Sequence, residues 1–417
     1  MNNFNLIIDF NNLLMRSIST PGTTFYNSNF EDENDLNDIV KKLTIDICYN
    51  IRLFSPDRVI IVCDSPNAWR KDVLPSGDKG YKANRTKDDT KNWDNLWKKM
   101  NKFKEHLSDK GFIISEVSRS EADDLAALWK DKLFTKNNES ILFISSDKDW
   151  RQLLDFNNTT NEYVAIFNPT VNNKGRKKMF FTEAAWKYIS TENQNVNVDK
   201  VSALFNSFLS SNKDNIKNAM LNDKKVDVEI VDPFTILINK IFEGDVGDNV
   251  PSFYEYYKTT KRGTSLARVT PTVTKKMCES LHINNMNDLN DAAKYIVMSL
   301  EKIMKIEIPV DSEDRLNRQK ILVELNTNLF PDNIINEFNH KYCDLIDKIM
   351  PPNLANIKWM DVLNNSEFFN KEEYLSAASL GFRYRKLIKL IGNSIVVNVL
   401  VAIFEAMFEE KYKRDDT

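Results

Sequence analysis

The chain is expected to adopt an α/β fold, with a mostly parallel, doubly wound sheet over residues 1–175 and a helical region after it. Three observations lead there: short continuous apolar runs, amphipathic stretches between them, and an acid after each run. Leu6-Ile7-Ile8 ends in Asp9, and Val59-Ile60-Ile61-Val62-Cys63 ends in Asp64. Phe112-Ile113-Ile114 is followed, after a short loop, by Glu121, and Ile141-Leu142-Phe143-Ile144 runs into Ser145-Ser146-Asp147. Such runs suit strands buried on both faces, as in parallel sheets.

The intervening segments have helical spacing. Leu36, Ile39, Leu43, Ile47, Ile51 and Phe54 recur at three and four, as do Trp93, Trp97, Met100, Phe103 and Leu107, with Gly111 placed as a stop. Strand alternating with helix is the βαβ pattern. Residues 176–230 are polar, rich in Asn and Lys and weakly periodic, and read as an insertion. Residues 233–243 begin with a proline and form a clear helix. Residues 255–276 read as a basic loop within a largely helical region, 231–350. A C-terminal extension, 351–417, ends in a helical hairpin from about residue 372 to 413.

Hydrophobic residues make up 42% of the 417 and charged residues 28%, the balance of a globular protein. The longest apolar run, 395–404, is interrupted by Asn398 and is too short to cross a bilayer. The first residues lack the basic start and apolar core of a signal peptide, so a cytoplasmic protein without membrane association is expected. Cys48, Cys63, Cys278 and Cys343 have no zinc spacing and read as buried free thiols. Three histidines argue against a histidine zinc site. The net charge of −3 hides two basic stretches: residues 78–110 hold ten Lys/Arg against six Asp/Glu, and residues 255–276 hold six against one.

In open parallel sheets the functional crevice lies beyond the carboxyl ends of the strands. There the sequence puts Asp9, Asp64, Glu121 and Asp147, with two tight sets, Glu121-Ala122-Asp123-Asp124 and Asp147-Lys148-Asp149, and a third, Asp245-Val246-Gly247-Asp248, farther on. Taken singly, the first two sets read equally well as helix starts, where acids favour the positive dipole end and cap free N–H groups. Together, carboxylates crowded at one sheet edge repel one another by several kcal/mol per pair at about 4 Å and need cations. Oxygen ligands without His or Cys fit Mg²⁺ or Mn²⁺, and two such ions can activate water and stabilise a leaving oxygen at a phosphodiester. Directly after Asp64 come Trp69-Arg70-Lys71 and Tyr81-Lys82-Ala83-Asn84-Arg85, whose cations can meet a phosphate and whose Tyr81 can stack on a base. A solvated basic loop is the plain alternative for this segment.

These pieces, with Ile8-Asp9-Phe10-Asn11-Asn12-Leu13-Leu14 and Gly244-Asp245-Val246-Gly247-Asp248-Asn249-Val250-Pro251, resemble in order and spacing the phage and bacterial 5′ nucleases. These relatives of flap endonucleases have a PIN-like core, and within them the chain looks nearest to the phage RNase H type. The resemblance covers residues 1 to about 350, apart from the insertion. It implies a PIN-like core with a helical arch (about 80–110, with 87–104 as its main stretch), then a helical DNA-binding region. It implies a structure-specific 5′ to 3′ exonuclease and flap endonuclease on branched DNA and RNA–DNA hybrids (flaps, nicks, 5′ ends), removing RNA primers in phage replication. Carried over by residue, Asp9, Asp64, Glu121 and Asp123 would hold one Mg²⁺; Asp123, Asp147, Asp149 and Asp245 would hold the second, with Asp124 and Asp248 acting directly or through waters. Mn²⁺ would be able to substitute. Lys82 and Arg85 would contact the scissile phosphate, and Arg70, Lys71, Tyr81, Lys261, Arg262, Arg268, Lys275 and Lys276 would contact DNA. A single-stranded DNA-binding protein and a sliding clamp are the partner types the resemblance adds.

After Pro251 the sequence departs from cellular members: residues 252–274 carry Tyr254, Tyr256, Tyr257 and a Lys/Arg run in place of a glycine-rich helix-hairpin-helix. The tail, with Leu380-Gly381-Phe382 and Gly392-Asn393-Ser394, resembles the closing segment of cytosine-5 DNA methyltransferases, without the rest of such an enzyme. It reads as a structural element. Two other functions fit parts of the pattern: a catalytically silent DNA-binding protein on the same scaffold, and a sequence-selective RNase like small PIN-domain toxins.

Overall fold

The computed structural model describes residues 4–19, 25–54, 56–74, 80–85, 88–171, 175–191, 226–260, 263–342, 345, 358–364 and 366–368. The chain divides into two compact units, Met1–Val362 and Leu363–Thr417. Both Cys343 and the tail hairpin lie outside the described residues.

The first unit is built on one mixed sheet in the order β3-β2-β1-β4-β6-β7-β8. The strands β1 (Phe4–Asp9), β2 (Arg58–Val62), β3 (Ile113–Ser115), β4 (Ser140–Ile144) and β6 (Tyr163–Asn168) pair in parallel, while β7 (Lys177–Phe181) runs antiparallel to β6 and parallel to β8 (Val226–Ile230). A short β5 (Asp155–Phe156) pairs with β6. The segment read from sequence as an insertion therefore contributes both of its described ends, β7 and β8, to this sheet.

Every residue of β2 and β4 is buried, which explains the unbroken apolar runs. One face, with Ile7, Ile60, Val62, Ile141 and Phe143, packs with Trp129 of helix α5 (Ala122–Lys130), Trp150, and Phe338 and Tyr342 of a later helix, Asp332–Tyr342. On α2 (Glu33–Phe54) the predicted stripe of Leu36, Ile39, Leu43, Ile47, Ile51 and Phe54 is buried, and Phe10 opens α1 (Phe10–Ser19) with its ring 6.4 Å from Phe103. After the single turn α3 (Arg70–Val73), the side chain of Asn92 caps α4 (Trp93–Asp109), which buries Leu96, Lys99, Met100, Phe103 and Leu107. From Trp93 on, the stretch read as an arch is thus a helix packed on the core. Its apolar stripe binds it there, and Trp93 and Trp97 are left half-buried.

A second core gathers Leu237, Ile238, Ile241 and Phe242 of the helix Pro233–Glu243 with Phe253, Val269, Met277, Ile296 and Leu316 from the helical region. Pro233 starts that helix, as the sequence predicts, and the side chain of Asp232 caps it. Residues 255–276 are not a loop: Glu255–Thr260 and Gly263–Arg268 form an antiparallel ribbon, and a helix starts at Pro271. The run Tyr256-Tyr257-Lys258-Thr259-Thr260 is rich in aromatic and β-branched residues, and Gly263 takes a φ of 116° at the turn. Among the described residues no helix is long and apolar enough to cross a membrane.

Candidate active site

The strand order changes direction at β1, between β2 and β4, which places the switch-point crevice at their carboxyl ends. Asp9 is the last residue of β1. Its two carboxylate oxygens accept from the Asn12 N–H and from the Ser145 hydroxyl, each at 2.9 Å. Burial, with the charges of Asp64 and Asp147, pushes its carboxyl up to about 7. Asp64, two residues past β2, accepts from the Ala122 N–H at 2.7 Å, tying the end of β2 to the start of α5. Asn12 in turn accepts from the Ser146 N–H and hydroxyl, pinning the turn after β4. Asp147 accepts from the Asp149 N–H at 2.9 Å.

Helix α5 begins as a capping box, with Glu121 accepting at the N-terminus and Asp124 accepting from the Glu121 N–H at 3.0 Å. The cap reading and the chemical reading divide between these residues. Asp124 is fully buried and holds Trp69 Nε1 at 3.0 Å and Arg70 Nη1 at 2.6 Å, so its oxygens serve the scaffold. Asp123 turns to the crevice, accepting from Trp150 Nε1 at 2.5 Å, and burial with Asp147 and Asp149 raises its carboxyl well above the usual range. Burial alone would raise Glu121 too, but Lys82 and Arg70 hold it below the ordinary value.

The third acidic set stands on the loop after the helix Pro233–Glu243. Gly244 ends that helix with a φ of 74°, and a Cβ there would lie 2.5 Å from the carbonyl carbon of Pro251 and the oxygen of Val250. Only glycine fits this close approach. Asp245 and Val250 exchange backbone hydrogen bonds at 2.9 and 2.8 Å, closing the loop, while Asp245 Oδ1 accepts from the Gly247 N–H at 2.7 Å. Segment 80–85 docks on this loop: Lys82 N–H donates to the Asp248 carbonyl at 2.8 Å, Asn84 to that of Val246 at 2.7 Å, and Asn249 to that of Gly80 at 2.7 Å. Asp149, Asp245 and Asp248 bring one carboxylate oxygen each within 4.8 Å of one another, and among the described residues they are the one group of three that could hold a metal ion in this way.

Two ammonium groups sit among the acids. Lys82 contacts Glu121 and stands 3.5 Å from Asp248, and Lys240 contacts Asp149 and stands 2.9 Å from Asp245. Burial would lower both ammonium pKa values, but the neighbouring carboxylates raise them. Arg85 pairs with Asp248 and keeps an exposed guanidinium. The sequence reading missed Lys240, Ser145 and Trp150. For Lys240 a signal existed: it is the one cation among Leu237, Ile238, Ile241 and Phe242, on the helix that leads into Asp245.

Two of the residues read as DNA contacts lie inside the protein. Arg70 is 2% exposed, with its guanidinium on Asp124 and on Glu121 at 3.3 Å. Tyr81 is 6% exposed, its hydroxyl donating to Glu121 at 2.8 Å and Asp248 at 3.2 Å, so its ring is not offered for stacking. Both brace the acids from behind. Lys71, Arg268, Lys275 and Lys276 are exposed, whereas Lys261 and Arg262 fall outside the described residues.

No curated relative matches the chain. Among solved structures, it is similar to a bacteriophage T5 flap endonuclease in a pseudo-enzyme–product complex with DNA and metal ions, at 17% identity and a TM-score of 0.47, covering 82% of this chain and 98% of that one. It is also similar to a T5 5′-exonuclease with bound zinc, at 18% identity and a TM-score of 0.47, covering 82% of this chain and all of the other. Residues 5–187, which carry β1 through β7 and the first two acidic sets, match a family model, that of the 5′-3′ exonuclease N-terminal resolvase-like domain.

Proposed function

We propose that the protein is a structure-specific 5′ to 3′ exonuclease and flap endonuclease that uses divalent metal, Mg²⁺ by preference, on branched DNA and RNA–DNA hybrids, and that it removes RNA primers in phage replication in the host cytoplasm. One observation carries the reading: three acidic sets from three parts of the chain converge with Lys82 and Arg85 at the carboxyl ends of the parallel strands.

The chain's residues fit a pair of divalent ions. The ligand atoms are carboxylate oxygens, hard donors that suit Mg²⁺ and Mn²⁺. Burial first, and neighbouring carboxylates after it, raise the carboxyls of Asp9, Asp123 and Asp149, a cost that bound cations would relieve. Asp9, Asp64, Glu121 and Asp123 would hold one ion, and Asp147, Asp149, Asp245 and Asp248 the other, with Asp123 between them. When bound, the ions would supply an activated water and a Lewis acid for the leaving oxygen. Lys82 and Arg85 would turn from Glu121 and Asp248 to the scissile phosphate, and Lys240 would keep Asp149 and Asp245 in place. Exposed Lys71, Lys275 and Lys276 and the ribbon cations would follow duplex phosphates.

The test is a gel assay with a 5′-labelled flap, a nicked duplex, an RNA–DNA hybrid and a linear single-stranded RNA, each with Mg²⁺ and with EDTA. Metal-dependent cutting of the first three supports the reading. Undiminished cutting in EDTA, or cutting of the single-stranded RNA alone, overturns it.

A further inference from the structure

Beside Asp64, and displaced from the acid cluster toward β2 and β3, lies a cavity of about 370 Å³ walled by Phe10, Asp64, Trp97, Asn101, Lys104 and Glu116. Trp97, Asn101 and Lys104 are one stripe of α4 at helical spacing, the stripe that does not enter the core. Its wall is mainly apolar and also holds amides and an ion pair: Asn11 accepts from the Asp64 N–H at 3.3 Å, and Lys104 pairs with Glu116. Neither the proposed metal ligation nor the phosphate contacts use Trp97, a large aromatic left half-buried in the cavity wall.

We propose that this cavity receives the base of a nucleotide flanking the scissile phosphodiester, with Trp97 as its stacking surface. The inference deepens the nuclease reading and rests on it. Its volume is at the low end for ligand sites, about 300–1,000 Å³, and suits a single base rather than a duplex. Asp64 forms part of the wall, so a phosphate held at the acids would have its own base within reach of the cavity. An indole face accepts any base, so the pocket fixes position without reading sequence. The Lys104–Glu116 pair lines the cavity with balanced charge, which suits an uncharged base and disfavours a second phosphate. Seating a base here unstacks it from its neighbour, so the pocket favours 5′ ends, nicks and flaps over intact duplex.

The experiment places an abasic site or 2-aminopurine at each nucleotide flanking the cut in a 5′ flap, and measures single-turnover rate and equilibrium binding in EDTA for the native protein, Trp97→Ala and Trp97→Phe. At one of the two positions, loss of the base should slow the native protein about tenfold, the scale of one base stack. Trp97→Ala should slow the intact substrate by a similar factor and lose its sensitivity to the abasic site, while Trp97→Phe should retain it. The 2-aminopurine signal at that position should be quenched on binding by the native protein and restored in Trp97→Ala. Multiplicative slowing by the two changes, or a signal that does not depend on Trp97, overturns the pocket even where cutting is normal. If no substrate is cut, the nuclease reading fails, and the binding signal alone decides the pocket.

Discussion

Lys240 places its ammonium 2.9 Å from the Asp245 carboxylate, reaching from the last turn of its helix past Gly244 to the acids that the next loop carries. The same ammonium contacts Asp149, so one cation joins the 3₁₀ turn after β4 to the loop that begins the helical region.

Removing that charge should destabilise the protein most when no divalent ion is present. Lys240→Met leaves Asp149 and Asp245 uncompensated in a partly buried site, a loss of about 3 kcal/mol in EDTA. Ligand binding to the native state restores stability by mass action, so the gap should narrow in Mg²⁺. Urea denaturation of both proteins in the two buffers measures it. Equal loss in both would mean that Lys240 does not stand in for cationic charge at these acids.

Asp9 should make metal-free stability fall with rising pH. Its carboxyl is pushed from an ordinary 3.8 up to about 7 in the folded protein, so between those values the native state holds a proton that the unfolded chain has lost. The stabilisation is full below about pH 4 and is lost as pH rises through 7, a swing of up to about 4 kcal/mol. Asp9→Asn should flatten that share of the curve and gain on the native protein at pH 7.5. Denaturation in EDTA from pH 4.5 to 8 checks the difference between the two, which isolates Asp9 from acids such as Glu121 whose carboxyl moves the other way.

Neighbours Arg70 and Lys71 should separate completely. Arg70→Ala removes the partner of fully buried Asp124 and should cost about 3–5 kcal/mol of stability. Lys71→Ala changes an exposed side chain and should stay within about 0.5 kcal/mol. Melting temperatures of the two variants decide it, and similar values would contradict the burial of Arg70.

The parallel sheet and the gathering of acids were legible because both are written locally: an apolar run marks a strand buried on two faces, and an acid at its end marks the crevice. What was not legible depended on which way a side chain turns. Asp123 and Asp124 are adjacent and chemically alike, yet α5 sends one to the crevice and the other to Trp69 and Arg70. Arg70 and Tyr81 looked like phosphate and base contacts, but the loops that carry them fold inward against Glu121. The ribbon at 255–268 was hidden because its exposed strands lack the apolar signature of buried ones, leaving Tyr257 78% exposed.

That ribbon should govern duplex affinity through charge. Lys258 and Arg268 are exposed on its two strands, and reversing both to Glu should lower duplex binding and flatten its salt dependence, by roughly 0.9 in log–log slope for each lost contact. Fluorescence anisotropy from about 50 to 200 mM salt reads both quantities. An unchanged slope would place the duplex elsewhere.

Under the proposed function the converged acids perform chemistry rather than cap helices. Single-turnover cutting of a 5′-labelled flap by the native protein, Asp147→Asn and Asp245→Asn in Mg²⁺, with flap affinity in EDTA measured alongside, decides between the two. Loss of a metal ligand's charge should reduce the rate by at least about 10²–10³-fold, while affinity holds or rises because negative charge near a phosphate has been removed. Variants that melt earlier by the roughly 0.5–2 kcal/mol of a lost cap but cut at the native rate would contradict it.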